Sequence, residues 1–223
     1  VLTDAAIESL ASDLDRELLA FYDFDSNPGT PSGIGAPDIL ENFHGMGSLN
    51  APEGYSPAAD NDGNSNDAIN LTGQHLDIFI EDLPTDFTIL TWVNLTNTAS
   101  DNIVFSKHSN DGDPLANVEV MFKIATGGSM YGEMGNGSSA IVDNFGSVTA
   151  GSWYHVGMSY EAATGAFHVF HNGNRSAGAS ITPASRQQDV STPKTDLEIG
   201  RVNLDSGPIL FNGNIDRFRI YGR

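Results

Sequence analysis

The 223-residue sequence contains no cysteine and few basic residues, and both deficits exclude classes of function. Without cysteine the chain can form neither a disulfide scaffold nor a reactive thiolate. Only 10 Lys and Arg accompany 29 Asp and Glu, so the formal net charge is −19. Such a chain lacks the clustered cations that bind nucleic-acid phosphates or an anionic membrane surface. It also lacks any run of about 18 apolar residues. We therefore expect no nucleic-acid binding and no membrane insertion.

Asp and Asn are much more frequent in the sequence than Glu and Lys. Asp occurs 20 times and Glu 9 times, whereas Asn occurs 19 times and Lys 3 times. Short Asp and Asn side chains suit loops, because they form hydrogen bonds to the local backbone. Their oxygens also suit calcium, which takes six to eight oxygen ligands. The sequence supports two explanations of this composition. One is calcium binding, and the other is an acidic, lysine-poor surface adapted to a salty habitat.

The pattern of apolar residues predicts one helix followed by many short strands. Residues 3–19 place Ile7, Leu10, Leu14 and Leu18 at helical spacings of three and four. After this segment, short alternating runs lie between Gly, Asn, Asp and Pro clusters, which is typical of a β-sandwich. No helix–strand alternation follows, so we expect an all-β fold and not a parallel α/β sheet.

We predict the strands from these runs and from the turn residues that separate them. Two pairs are predicted to form hairpins: residues 68–71 with 75–80 around Thr72-Gly73-Gln74, and 153–160 with 166–172. Asn172-Gly173 predicts a tight turn. The predicted strands cover residues 18–24, 68–71, 75–80, 87–95, 103–107, 118–124, 129–133, 140–142, 153–160, 166–172, 197–200, 209–211 and 215–221.

Four motifs, in this order along the chain, together resemble the laminin-G/pentraxin-like branch of the concanavalin A-like jelly rolls. The first runs through residues 68–78 and the second is the Phe-Thr-x-x-x-Trp strand at 86–93. The third is Gly-x-Trp-Tyr-His at 151–155, continued by Phe-His-Asn-Gly at 170–173. The fourth is the Leu-x-Ile-Gly strand at 197–200, followed by Phe-x-Gly-x-Ile-Asp at 211–216.

The resemblance implies an antiparallel jelly-roll β-sandwich over residues 18–223, with residues 1–17 as a helical extension or linker. Trp92 and Trp153 lie mid-strand, where we expect large aromatics to fill the core. The alternative for both is an exposed sugar-stacking platform. We expect His155 to be buried and hydrogen-bonded, with a structural role.

The sequence favours a non-catalytic role. The resemblance implies that glycosidases of this superfamily carry their acids as a Glu-x-Asp-x-Glu run on one strand, and no such run is present. The scarcity of Lys and Arg argues against the basic cleft that a lyase needs for an acidic polysaccharide. No Gly-x-Ser-x-Gly nucleophile motif occurs. A glycosidase or lyase nevertheless stays as the alternative, and a ligand-free spacer domain is a third possibility.

The resemblance points to a first calcium site formed by two loops. In the family pattern an acidic residue just before the strand 118–124 coordinates calcium, and Asp113 matches it, with Asp111 and Asn117 as neighbours. The loop after residues 197–200 supplies Asn203 and Asp205, and Asp101 belongs to the same polar cluster. The alternative is two solvated polar turns. The predicted metal ligands are Asp111, Asp113, Asn203 and Asp205, and the predicted ligand-binding residues are Asp113, Asn117, Asn203 and Asp205.

A second calcium position is predicted where an early loop meets the final strand. Asp25 follows the first strand and Asp216 lies on the last, and the first and last strands of this superfamily commonly run side by side. Asp216 could instead accept hydrogen bonds from neighbouring backbone N–H groups. The run from Asp60 to Asp67 resembles half of an EF-hand loop without its terminal Glu, and a solvated turn is the preferred interpretation.

We therefore predict a calcium-binding extracellular or cell-surface recognition module. Its partner would be a carbohydrate or a cell-surface protein or peptide. The domain would belong to a larger multi-domain chain, such as a bacterial adhesin or a carbohydrate-degrading enzyme.

Overall fold

The computed structural model describes residues 18–22, 24, 39–40, 49–50, 56–65, 67–78, 80, 82–108, 118–188, 195–204 and 206–222. The predicted helix at residues 3–19 lies almost wholly outside this part of the chain. Within it, no helix is long and apolar enough to cross a membrane. The described elements are strands, apart from a single 3-10 turn at Pro183–Ser185.

The described residues contain nineteen strands, in chain order. They are β1 (Leu18–Tyr22), β2 (Ile39–Leu40), β3 (Leu49–Asn50), β4 (Ser56–Ala58), β5 (Ala68–Asn70), β6 (Leu76–Ile78), β7 (Phe87–Leu95), β8 (Asn102–His108), β9 (Val118–Ile124), β10 (Ser129–Gly135), β11 (Ala140–Ser147), β12 (Trp153–Glu161), β13 (Ala166–His171), β14 (Asn174–Arg175), β15 (Ala179–Ser180), β16 (Leu197–Ile199), β17 (Arg201–Val202), β18 (Ile209–Leu210) and β19 (Gly213–Gly222).

The strands form two sheets and one small hairpin. The first sheet has the order β14-β13-β12-β7-β19-β1-β2, with β5 and β4 continuing from β19 and β15 attached to β13. The second sheet has the order β11-β10-β9-β8-β16-β6-β3, and β17 pairs with β18. The strand pairings in the described part of the chain are antiparallel, as in β1 with β19. The predicted jelly-roll sandwich is thus confirmed, including the neighbouring first and last strands.

One apolar core lies between the two sheets. In β7 the odd-numbered residues from Phe87 to Leu95 point inward and are buried, in strict alternation with half-exposed neighbours. From the second sheet, the ring of Phe105 stacks on Phe122 at 5.7 Å and meets the edge of Phe218 at 5.8 Å. Because Phe218 belongs to β19 of the first sheet, these contacts join the two layers.

Two predicted hairpins had different outcomes. β12 pairs with β13 as expected, and Asn172 and Gly173 adopt positive φ values of 47° and 79° in the turn before β14. The hairpin predicted for residues 68–71 and 75–80 is wrong. β5 pairs with β19 and β4 in the first sheet, whereas β6 pairs with β16 and β3 in the second. The Thr72-Gly73 turn therefore connects the two sheets. Turn residues of this kind are compatible with a hairpin and with a connection between sheets.

Candidate ligand-binding site

The structure describes two of the predicted site residues. Asn203 is exposed on the turn between β17 and β18, and Asp216 is fully buried on β19. The remaining predicted residues lie outside the described part of the chain. These are Asp25, Asp111, Asp113, Asn117 and Asp205.

The β17–β18 hairpin, residues 201–210, packs on the outer face of the second sheet. Val202 belongs to a small buried cluster with Val118 and Met121 of β9 and Ile103 of β8, and Leu204 packs against it. Ser106 Oγ also donates a hydrogen bond of 2.7 Å to the carbonyl oxygen of Arg201. The hairpin therefore brings the neighbours of Asn203 onto the same cluster as Val118, the residue that follows Asn117.

A cleft of about 580 Å³ lies beside this hairpin. Its walls include Ser100 and Asp101 on one side and Pro208–Asn212 on the other. Asp101 Oδ1 accepts hydrogen bonds from Thr126 N at 2.8 Å and Thr126 Oγ1 at 3.1 Å. No hydrogen bond within the described residues engages Asp101 Oδ2. The cleft is thus lined by the acidic side chain of Asp101 and by apolar residues of the hairpin.

Along the chain, β8 lies between Asp101 and the segment that contains Asp113. Asp101 directly precedes β8, and the segment containing Asp113 follows β8 at His108. Seven residues of strand separate the two ends by roughly 20 Å. Asp101 and the 109–117 segment therefore start from opposite ends of the sandwich.

Within the described ranges the structure shows no preformed cluster of carboxylate and imidazole metal ligands. No three His, Asp or Glu side chains there converge closely enough to hold an ion. Asn203 offers a hard amide oxygen on an exposed turn, which suits calcium. Asp216 suits it less well, because Arg217 Nε lies 3.6 Å from Asp216 Oδ2 and already supplies a positive charge.

The run beginning at Asp60 folds around that residue's own carboxylate. Asp60 Oδ1 accepts backbone hydrogen bonds from Asp62 at 2.9 Å and Asn64 at 2.7 Å, and Oδ2 accepts one from Asn64 Nδ2 at 3.0 Å. Arg217 Nη2 lies 3.5 Å from the same Oδ2. Because these protein donors occupy both oxygens, the geometry is that of a self-capped turn. The EF-hand-like spacing thus has a structural explanation.

The interpretation of Trp92 and Trp153 as core residues is wrong. Trp92 falls between the buried Thr91 and Val93 of β7, so the alternation directs it to the outer face of the first sheet. Trp153 lies opposite Asn94 in register, and Asn94 shares that outer face. Both indoles are half-buried and outside the apolar core. Sequence alternation could not fix the phase, because both faces of β7 contain apolar residues.

His155 shares the outer face with Trp92. Its ring centroid lies 5.2 Å from that of the indole, at an interplanar angle of 48°. Burial, and secondarily the charge of Arg219, lowers the pKa of His155 below its usual value. Its backbone N–H donates a hydrogen bond to Asn172 Oδ1 at 2.9 Å, and the side chain stays half-buried. The predicted full burial is wrong, the hydrogen bond is donated by the backbone, and the structural role of the ring stays a prediction.

Sequence reasoning missed an acidic group on the outer face of the second sheet. Asp77 of β6 and Glu198 of β16 lie directly opposite each other in register. Arg201 pairs with Glu198, and its Nη2 lies 3.6 Å from Asp77 Oδ1. Burial raises the pKa of Glu198, and the hydrogen bond and charge of Arg201 oppose this effect. The contact between residues 77 and 198 depends on strand order, which no local motif reveals.

The two packed antiparallel sheets define a jelly-roll β-sandwich, and comparison with known proteins identifies its family. The family model described as the concanavalin A-like lectin/glucanases superfamily, of laminin-G type, matches residues 62–223. Since this match covers well over half of the chain, the chain belongs to that superfamily. The predicted laminin-G-like resemblance is confirmed. A comparison with curated protein sequences gave no match.

Solved structures share the fold at low sequence identity. Domain 4 of AbnA, an extracellular arabinanase from Geobacillus stearothermophilus, in complex with arabinotriose, has a TM-score of 0.57 and 19% identity, covering 92% of each chain. The binding domain of botulinum neurotoxin DC, in complex with rat synaptotagmin II, has a TM-score of 0.61 and 10% identity, covering 93% of this chain and 48% of that one. The Ruminococcus gnavus sialidase module CBM40, bound to sialyllactose, has a TM-score of 0.50 and 15% identity, covering 62% and 77%.

Proposed function

We propose that the chain is a non-catalytic, calcium-binding extracellular recognition module, which binds a carbohydrate or a cell-surface protein or peptide beside the β17–β18 hairpin. One observation supports it most directly. The hairpin is anchored through Val202 and Leu204 on the cluster that contains Val118, and a cleft of about 580 Å³ opens next to it. Val202, which precedes Asn203, and Val118, which follows Asn117, thus share one buried cluster.

In this proposal the hairpin supplies Asn203 and Asp205 to calcium, and the 109–117 segment supplies Asp111 and Asp113. Asn117 would contact the bound ligand together with Asp113, Asn203 and Asp205. Bound calcium would offset the repulsion between these carboxylates and could accept oxygen ligands from a sugar or a carboxylate. The chain's own contribution is to hold the hairpin on the sheet through Val202.

The second proposed calcium position, Asp25 with Asp216, is supported less. Asp216 lies on the last strand, which pairs with the first as the proposal requires. Arg217 competes for the same carboxylate, because its Nε lies 3.6 Å from Asp216 Oδ2. We therefore rank this position below the hairpin position.

Structural neighbours support carbohydrate or protein recognition in this family by analogy. The arabinanase domain is seen with arabinotriose, the sialidase module with sialyllactose, and the neurotoxin domain with a synaptotagmin. These complexes guide the choice of carbohydrate and peptide probes. We also propose that this domain is part of a larger secreted protein.

Thermal melting with calcium chloride and with EDTA tests the metal. A hundred-fold excess of calcium over its Kd would stabilise the fold by about 2.7 kcal/mol, which corresponds to a melting shift of roughly 5–10 °C. Asp113→Ala and Asp205→Ala should each abolish most of the shift. Asp67→Ala, a control that removes an acid just before β5 of the first sheet, should keep it. An unchanged melting temperature in the native protein would refute calcium binding.

Glycan-array binding, with calcium and again with EDTA, tests recognition. Binding that needs calcium and is lost in Asp205→Ala would support the proposal. If the native protein binds no glycan, and no peptide from a cell-surface panel, in either condition, then the ligand-free spacer is the correct description.

The pairing of Asp77 with Glu198 across neighbouring strands favours the enzymatic alternative. Directly opposed residues on neighbouring strands have Cβ atoms about 4.5–5.5 Å apart, comparable with the carboxylate spacing of about 5–5.5 Å in retaining glycosidases. Arg201, however, pairs with both carboxylates, which indicates a structural role. Reducing-sugar release from an oligosaccharide panel decides between them. Turnover by the native protein that is lost in Glu198→Gln would establish the glycosidase.

A further inference from the structure

Four side chains form a continuous strip across the outer face of the first sheet. Trp153 of β12 lies opposite Asn94 of β7, Asn94 opposite Asn214 of β19, and Asn214 opposite Asn70 of β5. Because directly opposed residues project from the same face of a sheet, the four form one row. We call this row the amide strip. Three strand spacings make it about 14 Å long.

The amide strip faces away from the core. The residues beside it in sequence, Val93, Ile215 and Ile69, are at most 2% exposed and point inward. Alternation then directs Asn94, Asn214 and Asn70 outward, where they are half-exposed. The strip therefore presents its polar atoms to solvent.

Much of the strip's hydrogen-bonding capacity is unused. Asn70 Nδ2 donates to Asn214 Oδ1 at 2.7 Å, and Asn70 Oδ1 accepts from Thr72 N at 3.1 Å. Within the described residues no hydrogen-bond partner engages the amide of Asn94 or the indole N–H of Trp153, and both side chains are partly exposed. An amide offers two donors and one acceptor oxygen. The strip thus combines free amide groups with one indole.

The adjoining row adds a second indole and carries little exposed charge. His155 lies opposite Trp92, and Trp92 opposite Asp216. Burial and the charge of Arg219 disfavour the protonated imidazole of His155. Asp216 is fully buried and pairs with Arg217. A ligand lying along the strip would therefore meet neutral groups.

We propose that the amide strip is a binding site for neutral oligosaccharides. A sugar ring presents hydroxyl groups that match free amide donors and acceptors, and an apolar C–H face that packs on an indole. Acidic saccharides are excluded by the formal charge of −19 and by the absence of a free cation in the strip. Trp153 provides stacking at one end, and Asn94 and Asn214 bind hydroxyl groups along the row.

This site is separate from the calcium-dependent site proposed above. The amide strip belongs to the first sheet, whereas the β17–β18 hairpin packs on the second. Binding at the strip should need no metal, so EDTA distinguishes the two sites. Failure of either proposal can then be recognised independently of the other.

Isothermal titration calorimetry of the full chain in EDTA tests the strip, with cellotriose, xylotriose, maltotriose and arabinotriose as probes. We expect at least one of them to bind. Trp153→Ala should weaken its binding about ten-fold, and Asn94→Ala about three- to ten-fold. Ser159→Ala and Thr88→Ala are matched controls, because these residues oppose each other at the far end of the same two strands. They should bind like the native protein.

Melting curves accompany each variant to establish that it folds. If Trp153→Ala does not fold, Trp153→Leu, which keeps an apolar side chain but removes the stacking ring, and Asn94→Ala take its place. The proposal is overturned if no neutral trisaccharide binds at millimolar concentration. It is equally overturned if folded strip variants bind as tightly as the two controls.

Discussion

Arg186 Nη2 lies 2.8 Å from Glu119 Oε1, and the two side chains are only 5% and 4% exposed. The guanidinium group of Arg186 also lies over the rings of Tyr160 and Phe87, at 4.7 and 5.4 Å from their centroids. Glu119 belongs to the second sheet, and both rings belong to the first. One arginine thus joins the two sheets by an ion pair and by cation–π contacts.

Replacing Arg186 alone should strongly lower the free energy of unfolding. Arg186→Met leaves the carboxylate of Glu119 buried beside an apolar group, and breaking a buried pair in this way costs about 3–5 kcal/mol. Urea unfolding followed by tryptophan fluorescence measures the loss. The expected result is a lower midpoint with an unchanged slope, since the fold and its exposed area on unfolding stay the same.

The double variant Arg186→Met with Glu119→Leu provides the control for that prediction. An apolar pair of similar size removes the buried charge, so most of the lost stability should return. If the double variant is less stable than Arg186→Met alone, the ion pair is not the origin of the effect.

Arg217 holds the turn at residues 60–64 on the last strand, and its own backbone is strained. Its Nη2 lies 3.0 Å from Asp62 Oδ2, and its Nη1 donates to Asn61 Oδ1 at 3.1 Å. Its φ is +50°, at a bulge in the pairing of β19 with β7. Arg217→Ala should destabilise the protein because it loses the contacts and keeps the strained φ. Arg217→Gly should be more stable than Arg217→Ala by about 1 kcal/mol, because glycine adopts positive φ freely.

Chemical unfolding of these two variants side by side checks the prediction. Both lack the guanidinium group, so their difference isolates the backbone. Equal stabilities for the alanine and glycine variants would mean that the positive φ at position 217 stores no strain.

The sequence predicted the strands well because their boundaries depend on local patterns. Phe87–Leu95 and Val118–Ile124 agree with the structure residue for residue, since alternation and flanking polar residues define them. The motifs in their chain order predicted the jelly roll. The phase of β7 was not predictable in the same way, because Leu90 and Trp92 on one face compete with Ile89 and Val93 on the other.

Long-range pairing accounts for most of what the sequence did not reveal. The amide strip exists only because four strands, distant in the chain, place Trp153, Asn94, Asn214 and Asn70 in register. Arg217 contacts Asn61 across 156 positions of sequence. Neither arrangement leaves a local motif, because strand order is set by burial of the whole core.

Asp60 should make stability depend on pH in the acidic range. Burial alone would raise the pKa of Asp60, but hydrogen bonds from Asn64 and Asp62, together with the charge of Arg217, lower it overall. A lowered carboxyl pKa contributes stability that is present above about pH 3.9 and is lost as the pH falls through the folded-state value. Asp60→Asn should therefore be less stable than the native protein at pH 7, and the difference should shrink below pH 4.

Urea unfolding at pH 7 and pH 3 measures that difference. Asp67→Asn, which removes an acid seven positions away, controls for the general loss of negative charge. A stability gap between the native protein and Asp60→Asn that is as large at pH 3 as at pH 7 would rule out the carboxylate as its source.

His155 should make the stability of the protein depend on pH in a higher range than Asp60 does. Because burial and the charge of Arg219 lower its pKa, the unfolded chain binds a proton more readily than the folded one below about pH 6.5. Stability should then decrease as the pH falls from 6.5 towards the lower, folded-state value. His75 contributes in the same direction, since burial and the charge of Arg201 lower its pKa against the opposing effect of Asp77.

Nuclear magnetic resonance titration of the imidazole signals separates the two residues. The signal that disappears in His155→Gln is assigned to His155, and its midpoint should lie below 6.5. His155→Gln should also make the free energy of unfolding depend less steeply on pH between pH 5 and 6.5. His75→Gln should have a separate effect in the same direction. A midpoint for His155 at or above 6.5 would show that Trp92 and its neighbours do not shield the imidazole from water.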